Sequence, residues 1–248
     1  MSSRKKTERS NICECLVLIQ VADDVSAEEA EETVGRLWSA QYRAPGTLCA
    51  FGGAHLANTP GSTATSSNYT HAVRFRFGSQ AAADSFLSNA AVQTCLTKDL
   101  ASKLQSRKLV LFEGPVASDL EAIFCRGSEW DSGAEHIFIF KATPQATSRE
   151  VDEHLKQLAA LAESSLAGAL QTTHGKISSS SYEDSGGTHA MLTRFETQKQ
   201  LQAFLRLPPC AALLSAVNNL PVSALVSFAY NIAPTNNSRS TSPQSNLL

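Results

Sequence analysis

The sequence has no long apolar run, little charge of either sign and no cysteines at metal-binding spacing. Of its 248 residues, 18% are charged, and the formal net charge is −2. A nucleic-acid-binding surface needs an excess of basic side chains to neutralise phosphates, and this composition lacks one. No segment approaches the roughly 18 apolar residues of a membrane span. The sequence therefore predicts a soluble protein with neither a nucleic-acid partner nor a membrane partner.

Cysteine usage and terminal signals indicate the compartment. The 6 cysteines are scattered without C-x-x-C spacing, which predicts reduced, mostly buried thiols. The basic N-terminal stretch has no apolar segment after it, so it does not resemble a secretory signal. We therefore expect a cytoplasmic protein. A peroxisomal or chloroplast location is the alternative. The terminal Ser-Asn-Leu-Leu resembles a peroxisomal address, but Leu248 places it out of register with one.

Polar termini flank two apolar regions. Residues 1–10 and 233–248 are too polar to offset their chain entropy by burial, and we predict disordered tails there. Between them, the pattern divides the chain into two units, residues 11–115 and 134–232. The connector, residues 116–133, contains the apolar stretch Leu120-Glu-Ala-Ile-Phe-Cys. This composition predicts that the connector packs on the body of the protein rather than forming a loose linker.

The two units repeat the same order of landmarks. Each begins with an apolar strand, followed by a serine or threonine and acidic residues that are typical of a helix start. A second strand and a polar loop come next, the loops being predicted at 57–68 and 178–187. Each unit then continues with Thr-His-Ala, an alternating strand, a helical stretch and a last strand. This order predicts two tandem β-α-β-β-α-β units.

The third strand of each unit has one apolar face and one face that carries arginine. Phe75 shares the side of His71, whereas Arg74 and Arg76 share the other, because side chains alternate along a strand. We expect helices on the histidine face. The arginine face, which includes Arg194 in the second unit, should meet the sheet of the other unit, with carboxylates or backbone carbonyls as partners.

With these landmarks in order, the chain resembles the stress-response A/B barrel family, also called the Dabb or dimeric α/β barrel proteins. The resemblance rests on the strand at 136–141, on the Thr-His-Ala phrases at 70–72 and 188–190, and on the Phe-Leu stretches after them. In single-domain members, two chains pair sheet to sheet. The resemblance therefore implies an α+β fold of tandem ferredoxin-like units that form an intramolecular, pseudo-dimeric α/β barrel. Further assembly into a homo-oligomer stays open.

The resemblance also implies a pocket between sheet and helices, as in a plant relative that is a polyketide cyclase. That relative uses a tyrosine and a histidine as acid and base. The matching positions here hold Phe204 and Phe86, followed by Cys210 and Val92, and phenylalanine cannot transfer a proton. The missing dyad favours a non-catalytic protein without a cofactor, either structural or binding a small hydrophobic ligand.

Histidines are the remaining candidates for chemistry. His136 and His189 match pocket positions of the family, as does His71, whereas Cys15 replaces the strand-one histidine in the first unit. They predict ligand contacts, strand-end hydrogen bonds, or the general bases of a small cofactor-free enzyme such as a cyclase, lyase or monooxygenase. A metal on His136 and His189 would lack an evident third ligand, so we predict no metal site. The predicted pocket comprises His136, Phe138, Phe140, His189, Met191, Phe204, Leu205 and Cys210, with Cys15, His71, Val73 and Phe86 in the first unit.

Overall fold

The computed structural model describes residues 9–56, 59–60, 68–100, 103–117, 133–181, 186–214 and 220–232. The first strand begins at Arg9, two residues inside the predicted N-terminal tail. The rest of that tail, most of the predicted connector (118–132) and the C-terminal tail (233–248) lie outside the described residues.

Both halves of the chain have the element order β-α-β-β-α-β. The strands are β1 (Arg9–Val21), β2 (Thr47–Ala54), β3 (His71–Phe77), β4 (Leu104–Ala117), β5 (Gly133–Ala142), β6 (Ala169–Ser181), β7 (His189–Phe195) and β8 (Val222–Ile232). The helices are α1 (Ala27–Trp38), α2 (Gln80–Ser88), α3 (Ala90–Thr94), α4 (Ser148–Ala162), α5 (Gln198–Leu205) and α6 (Pro208–Leu214). The tandem α+β organisation predicted from the repeat is confirmed.

The first helix of each half begins where the sequence predicts. Ser26 and Glu29 form a capping box before α1, and Thr147 and Glu150 form the equivalent box before α4. In each box, the hydroxyl accepts a backbone N–H from the first turn, while the glutamate accepts the N–H of the capping residue. The repeated Ser/Thr-x-x-Glu pattern therefore fixes the start of both helices.

All eight strands form one curled antiparallel sheet in the order β2-β3-β1-β4-β6-β7-β5-β8. The halves join where β4 pairs with β6. The outer strands also meet, because His55 bridges Tyr230 and the Leu56 N–H donates to the Ala229 carbonyl over 2.8 Å. The sheet thereby closes into an intramolecular, pseudo-dimeric α/β barrel, as the resemblance implies.

The serine-rich stretch at 178–181 is part of strand β6, so the prediction of a loop there is wrong. Ser181 lies opposite Leu109 of β4, and Ser179 lies opposite Leu111. The serine side chains at 178–180 are exposed, while the backbone supplies the hydrogen bonds that join the two halves. The polar side chains do not indicate a strand here, because this segment contributes to the fold through its main-chain hydrogen bonds.

The arginine faces meet inside the barrel, as predicted, and carboxylates are their partners. Arg76 donates from Nε to Glu14 over 2.9 Å. In the second half, Arg194 donates to Glu135 over 3.3 Å. Arg74 reaches both glutamates, at 2.7 Å to Glu135 and 3.4 Å to Glu14. Both glutamates are completely buried, so this ion cluster joins the two halves.

Apolar side chains fill the remaining interior and the space under the helices. The barrel interior contains an apolar cluster that includes Leu16, Val110, Ile137 and Phe228. Each half has a separate core between its sheet and its own helices. None of the described helices combines the length and the apolarity needed to cross a bilayer.

Candidate functional site

The predicted pocket residues fall into two groups that lie in different halves. Phe138, Phe140, Met191, Phe204, Leu205 and Cys210 belong to the helix-side core of the second half, each with an exposed fraction of 0%. Cys15, Val73 and Phe86 belong to the equivalent core of the first half. The structure thus brings each group together but keeps the two groups apart. Burial raises the pKa of the Cys210 thiol to about 12, so it behaves as an apolar filler.

His71 and His189 stand at the first residue of a strand and contact the threonine before them. In both halves, Nδ1 lies 2.9 Å from the threonine Oγ1. That oxygen also accepts an N–H from the end of the first strand of the same half, Val21 at 3.0 Å or Ala142 at 2.8 Å. The repeated Thr-His phrase therefore secures the junction between two strands in each half. Burial lowers the pKa of both imidazoles.

His136 and His189 do not form a catalytic pair. His189 lies opposite Phe140, whereas His136 lies opposite Thr193. The two histidines are thus four positions apart along β5, which corresponds to about 13 Å at the rise of a β-strand. The sequence places both on one sheet face, but the register puts them at opposite ends of it.

His136 is a buried polar group beside the helix-side core of the second half. It is 1% exposed, its Nε2 lies 2.9 Å from the Ser227 Oγ, and its ring packs edge-on against Phe138. Burial lowers the pKa of His136 to about 3, so the imidazole is neutral at physiological pH. Its Nδ1 is buried and has no hydrogen-bond partner among the described residues.

His136 continues into a row of polar groups that crosses the helix-facing side of the sheet, here called the polar row. Thr172 of β6 lies opposite Thr193 of β7, which lies opposite His136 of β5. Thr172 and Thr193 are 5% and 0% exposed. Within the described part of the chain, neither threonine hydroxyl has a hydrogen-bond partner. Three adjacent strands therefore each carry one buried, unpartnered polar atom on the helix-facing side of the sheet.

The equivalent row in the first half is apolar. His71 pairs with Ile19 as His189 pairs with Phe140, and this register relates the two halves residue by residue. The positions that match Thr172, Thr193 and His136 hold Ala50, Phe75 and Cys15. The first-half row needs no polar partner, so the two halves differ in the polarity of this row.

Sequence reasoning identifies His136 but not Thr172, Thr193 or Ser227. Thr193 offers a usable signal, because it shares a strand face with His189 and Met191, two residues that the sequence assigns to the pocket. Thr172 and Ser227 carry no comparable signal, since their alignment with His136 depends on strand register. Among the described residues, no cluster of three His, Cys, Asp or Glu side chains could hold a metal ion.

Comparison with known proteins agrees with the fold. Residues 134–234 match the stress responsive A/B barrel domain, Dabb. No curated protein matches the chain. An anthrone oxidase-like protein of known structure is 12% identical, with a TM-score of 0.59 over 92% of this chain and 93% of that protein.

Two further structures are presumed monooxygenases. The one from Fusobacterium nucleatum subsp. nucleatum is 10% identical, with a TM-score of 0.53 over 90% of this chain and 92% of that protein. The one from Lactobacillus acidophilus NCFM is 8% identical, with a TM-score of 0.50 over 90% and 93%. At these identities, the likeness shows a shared fold.

The sequence match and the fold lead to the same assignment. The match covers the half that carries the polar row, and the full-length structural neighbours share the two-unit barrel. The second half of the chain, residues 134–234, therefore contains a stress responsive A/B barrel domain.

Proposed function

We propose that the second half binds a small, uncharged hydrophobic molecule between its sheet and its helices. The polar row carries this proposal. A buried polar atom left without a partner costs about 1–3 kcal/mol, and three such atoms stand side by side here. A ligand whose oxygen or nitrogen atoms meet these groups would remove that cost.

The surroundings of the polar row define the class of ligand. Its neighbours Phe138, Phe140, Met191 and Phe204 supply an apolar wall. The buried charged side chains of this half, Glu135 and Arg194, bond each other inside the barrel, and His136 is neutral. Neighbouring strands lie about 4.8 Å apart. These features favour an uncharged, largely apolar molecule with hydroxyl or carbonyl groups at about that spacing.

A pair of threonine variants tests the proposal with 2-naphthol as the probe. Thr193→Val removes an unpartnered hydroxyl, so the free protein should gain up to about 1 kcal/mol of stability while 2-naphthol binds more weakly. Calorimetric titration and urea unfolding measure the two effects.

The matched control is Thr173→Val on the opposite face of the sheet. The Thr173 hydroxyl donates to Glu14 over 3.2 Å, so this variant should lose stability and keep its affinity for 2-naphthol. If the wild type does not bind 2-naphthol, or if Thr193→Val binds it as well as the wild type, the polar row is not a ligand site.

A cofactor-free enzyme is the second candidate, and the hydrogen bond between His136 and Ser227 favours it. The structural neighbours carry oxidase and monooxygenase names, and a neutral imidazole can accept a proton. However, protonating a group with a pKa of about 3 at pH 7 costs about 5 kcal/mol, whereas an effective general base titrates near the working pH. We therefore favour binding over catalysis.

Oxygen uptake with anthrone separates these two functions. A binding protein should leave the rate of uptake at the level of the buffer. Uptake that the wild type accelerates and His136→Asn does not would establish an enzyme instead.

The remaining parts of the proposal concern organisation and location. We propose residues 11–115 and 134–232 as the two domains and the cytoplasm as the location. Because the outer strands of the described barrel pair with each other, a homo-oligomer would form through the helices rather than through sheet edges.

A further inference from the structure

We infer that Ser227 holds His136 in the tautomer that carries its proton on Nδ1, so that the polar row presents a hydrogen-bond donor to a carbonyl oxygen of the ligand. This inference rests on the proposed function and narrows its ligand from hydroxyl or carbonyl compounds to uncharged, largely apolar ketones. Ser227 is then a positioning residue, because it acts on the ligand through His136.

The contact between the two residues follows from the strand register. His136 of β5 lies opposite Ala229 of β8, and Ser227 is the next residue on the same face of β8, opposite Phe138. Such diagonal neighbours lie within reach of long side chains, and here His136 Nε2 lies 2.9 Å from the Ser227 Oγ. Both side chains are buried, so bulk water does not compete for this hydrogen bond.

The balance of donors and acceptors selects the tautomer. Burial lowers the pKa of His136 to about 3, and a neutral imidazole has one N–H and one acceptor nitrogen. If Ser227 donates to Nε2, the group left without a partner is the N–H on Nδ1. If Nε2 donates instead, the Nδ1 lone pair and the Ser227 hydroxyl proton both lack partners among the described residues. Each buried group without a partner is costly, so the first arrangement is favoured.

Both members of this pair are replaced in the first half. The equivalent strand register places Cys15 at the position of His136 and Leu109 at the position of Ser227. Neither replacement offers a strong hydrogen-bonding group. The His136–Ser227 pair therefore accompanies the polar row and is not a requirement of the fold that the two halves share.

The tautomer decides which ligand atom can face His136. An N–H on Nδ1 donates to a carbonyl oxygen, whereas a ligand hydroxyl proton finds no acceptor there. Thr193 lies opposite His136, and its hydroxyl can donate to the second lone pair of the same oxygen. Because Nδ1 already carries a proton, it is not a general base, which separates this inference from the enzymatic alternative.

Nitrogen NMR of isotope-labelled, unliganded protein tests the tautomer directly, because protonated and bare ring nitrogens differ widely in chemical shift. The His136 signals are those that disappear in His136→Asn. We expect a protonated Nδ1 and a bare Nε2 in the wild type, and a shift of the proton toward Nε2 in Ser227→Ala. A wild-type His136 with its proton on Nε2 would overturn the inference.

Ser223→Ala is the matched control, because Ser223 lies on the same strand as Ser227. Its hydroxyl donates to the Lys141 carbonyl over 3.5 Å, away from His136. This variant should leave the His136 signals where they are in the wild type. The same pair of serine variants serves for the binding measurements.

Two probes that differ in one group test the class of ligand. 2-Acetylnaphthalene has a carbonyl oxygen where 2-isopropenylnaphthalene has a methylene group. In calorimetric titration, the wild type should bind the ketone about tenfold more tightly, the size of one hydrogen bond to a buried donor. Ser227→Ala should narrow this difference, and Ser223→Ala should keep it.

The outcomes separate this inference from the proposed function. Equal affinity of the wild type for the ketone and the hydrocarbon would overturn the inference, while binding of 2-naphthol that depends on Thr193 would leave the proposed function standing. If the wild type binds none of the three probes, the proposed function fails together with the inference.

Discussion

The ionisation of one buried side chain, His136, affects the free energy of unfolding of the protein. Its ring contacts the Phe138 ring and the Ser227 hydroxyl, neither of which stabilises a positive charge strongly. The folded protein therefore holds the neutral imidazole, whereas the unfolded chain protonates it at the ordinary pKa. This difference links the stability of the fold to pH.

Acid should therefore destabilise the protein through His136. Above pH 6.5 the imidazole is neutral in both states, and its effect is absent. Below the ordinary pKa of 6.5, the unfolded chain binds a proton that the folded protein does not accept until about pH 3. The free energy of unfolding then falls by up to about 1.4 kcal/mol per pH unit, which amounts to about 2 kcal/mol at pH 5.

Urea unfolding of the wild type and of His136→Asn at pH 7 and pH 5 checks this effect. Asparagine does not titrate, so the variant should lose about 2 kcal/mol less between the two pH values. An equal loss in both proteins would mean that the folded imidazole titrates normally.

At the scale of elements, the barrel closes through close backbone contacts at two equivalent glycines. Gly175 of β6 lies opposite Ala190, and Gly53 of β2 lies opposite Ala72, the same position in each half. A Cβ at Gly175 would lie 1.8 Å from the Glu113 carbonyl oxygen, and one at Gly53 would lie 2.5 Å from the Asn231 carbonyl oxygen. Both seams therefore require a residue without a side chain.

Gly175→Ala should open the seam between β4 and β6. The added methyl group collides with backbone, which cannot rotate away, so we expect a loss of about 3 kcal/mol or more, in the range of overpacked sites. Denaturant unfolding measures the loss.

Gly35→Ala is the matched control, since Gly35 lies on the exposed face of α1 with no atom within 4 Å of an added Cβ. This substitution should gain about 0.5–1 kcal/mol from helix propensity. A Gly175→Ala protein as stable as the wild type would show that the seam is loosely packed.

Local sequence patterns predict most elements but not the way in which they join. Capping boxes, strand alternation and the repeated Thr-His phrase locate helices and strands, because these signals act within a few residues. The pairing of β6 with β4 is not predicted from the sequence. Residues 178–181 pair through main-chain atoms, and their polar side chains do not indicate a strand. The polar row depends on register: Thr172, Thr193 and His136 become neighbours through pairings between distant segments.

Across the whole molecule, a buried ion cluster holds two unequal halves together. Glu14 and Glu135 are equivalent, as are their cross-strand arginines, Arg76 and Arg194. Arg74 has no counterpart, because Leu192 occupies its equivalent position. This arginine crosses the interior to bond both glutamates. The alternating sequence predicts that the arginines meet the other half, but it does not reveal which carboxylates receive them.

The coupling between Arg74 and Glu135 can be measured in a double-mutant cycle. Arg74→Met and Glu135→Gln should each cost about 3–5 kcal/mol, because each takes one counter-charge from a buried ion cluster. The double variant should cost clearly less than the sum. Burial alone would raise the pKa of Glu135, but Arg74 and Arg194 hold it below its ordinary value. Additive losses would show that the two side chains do not act as a pair.

In each half, the start of the first strand pairs with the end of the last strand, so either half could come first in the chain. Arg9 lies opposite Ala117, and Gly133 lies opposite Ile232. The natural chain spans the gap from Ala117 to Gly133 with 15 residues, and a peptide of similar length would reach from Ile232 to Arg9. A circular permutant that starts at Gly133 and ends at Ala117 should therefore assemble the same barrel and unfold in one transition.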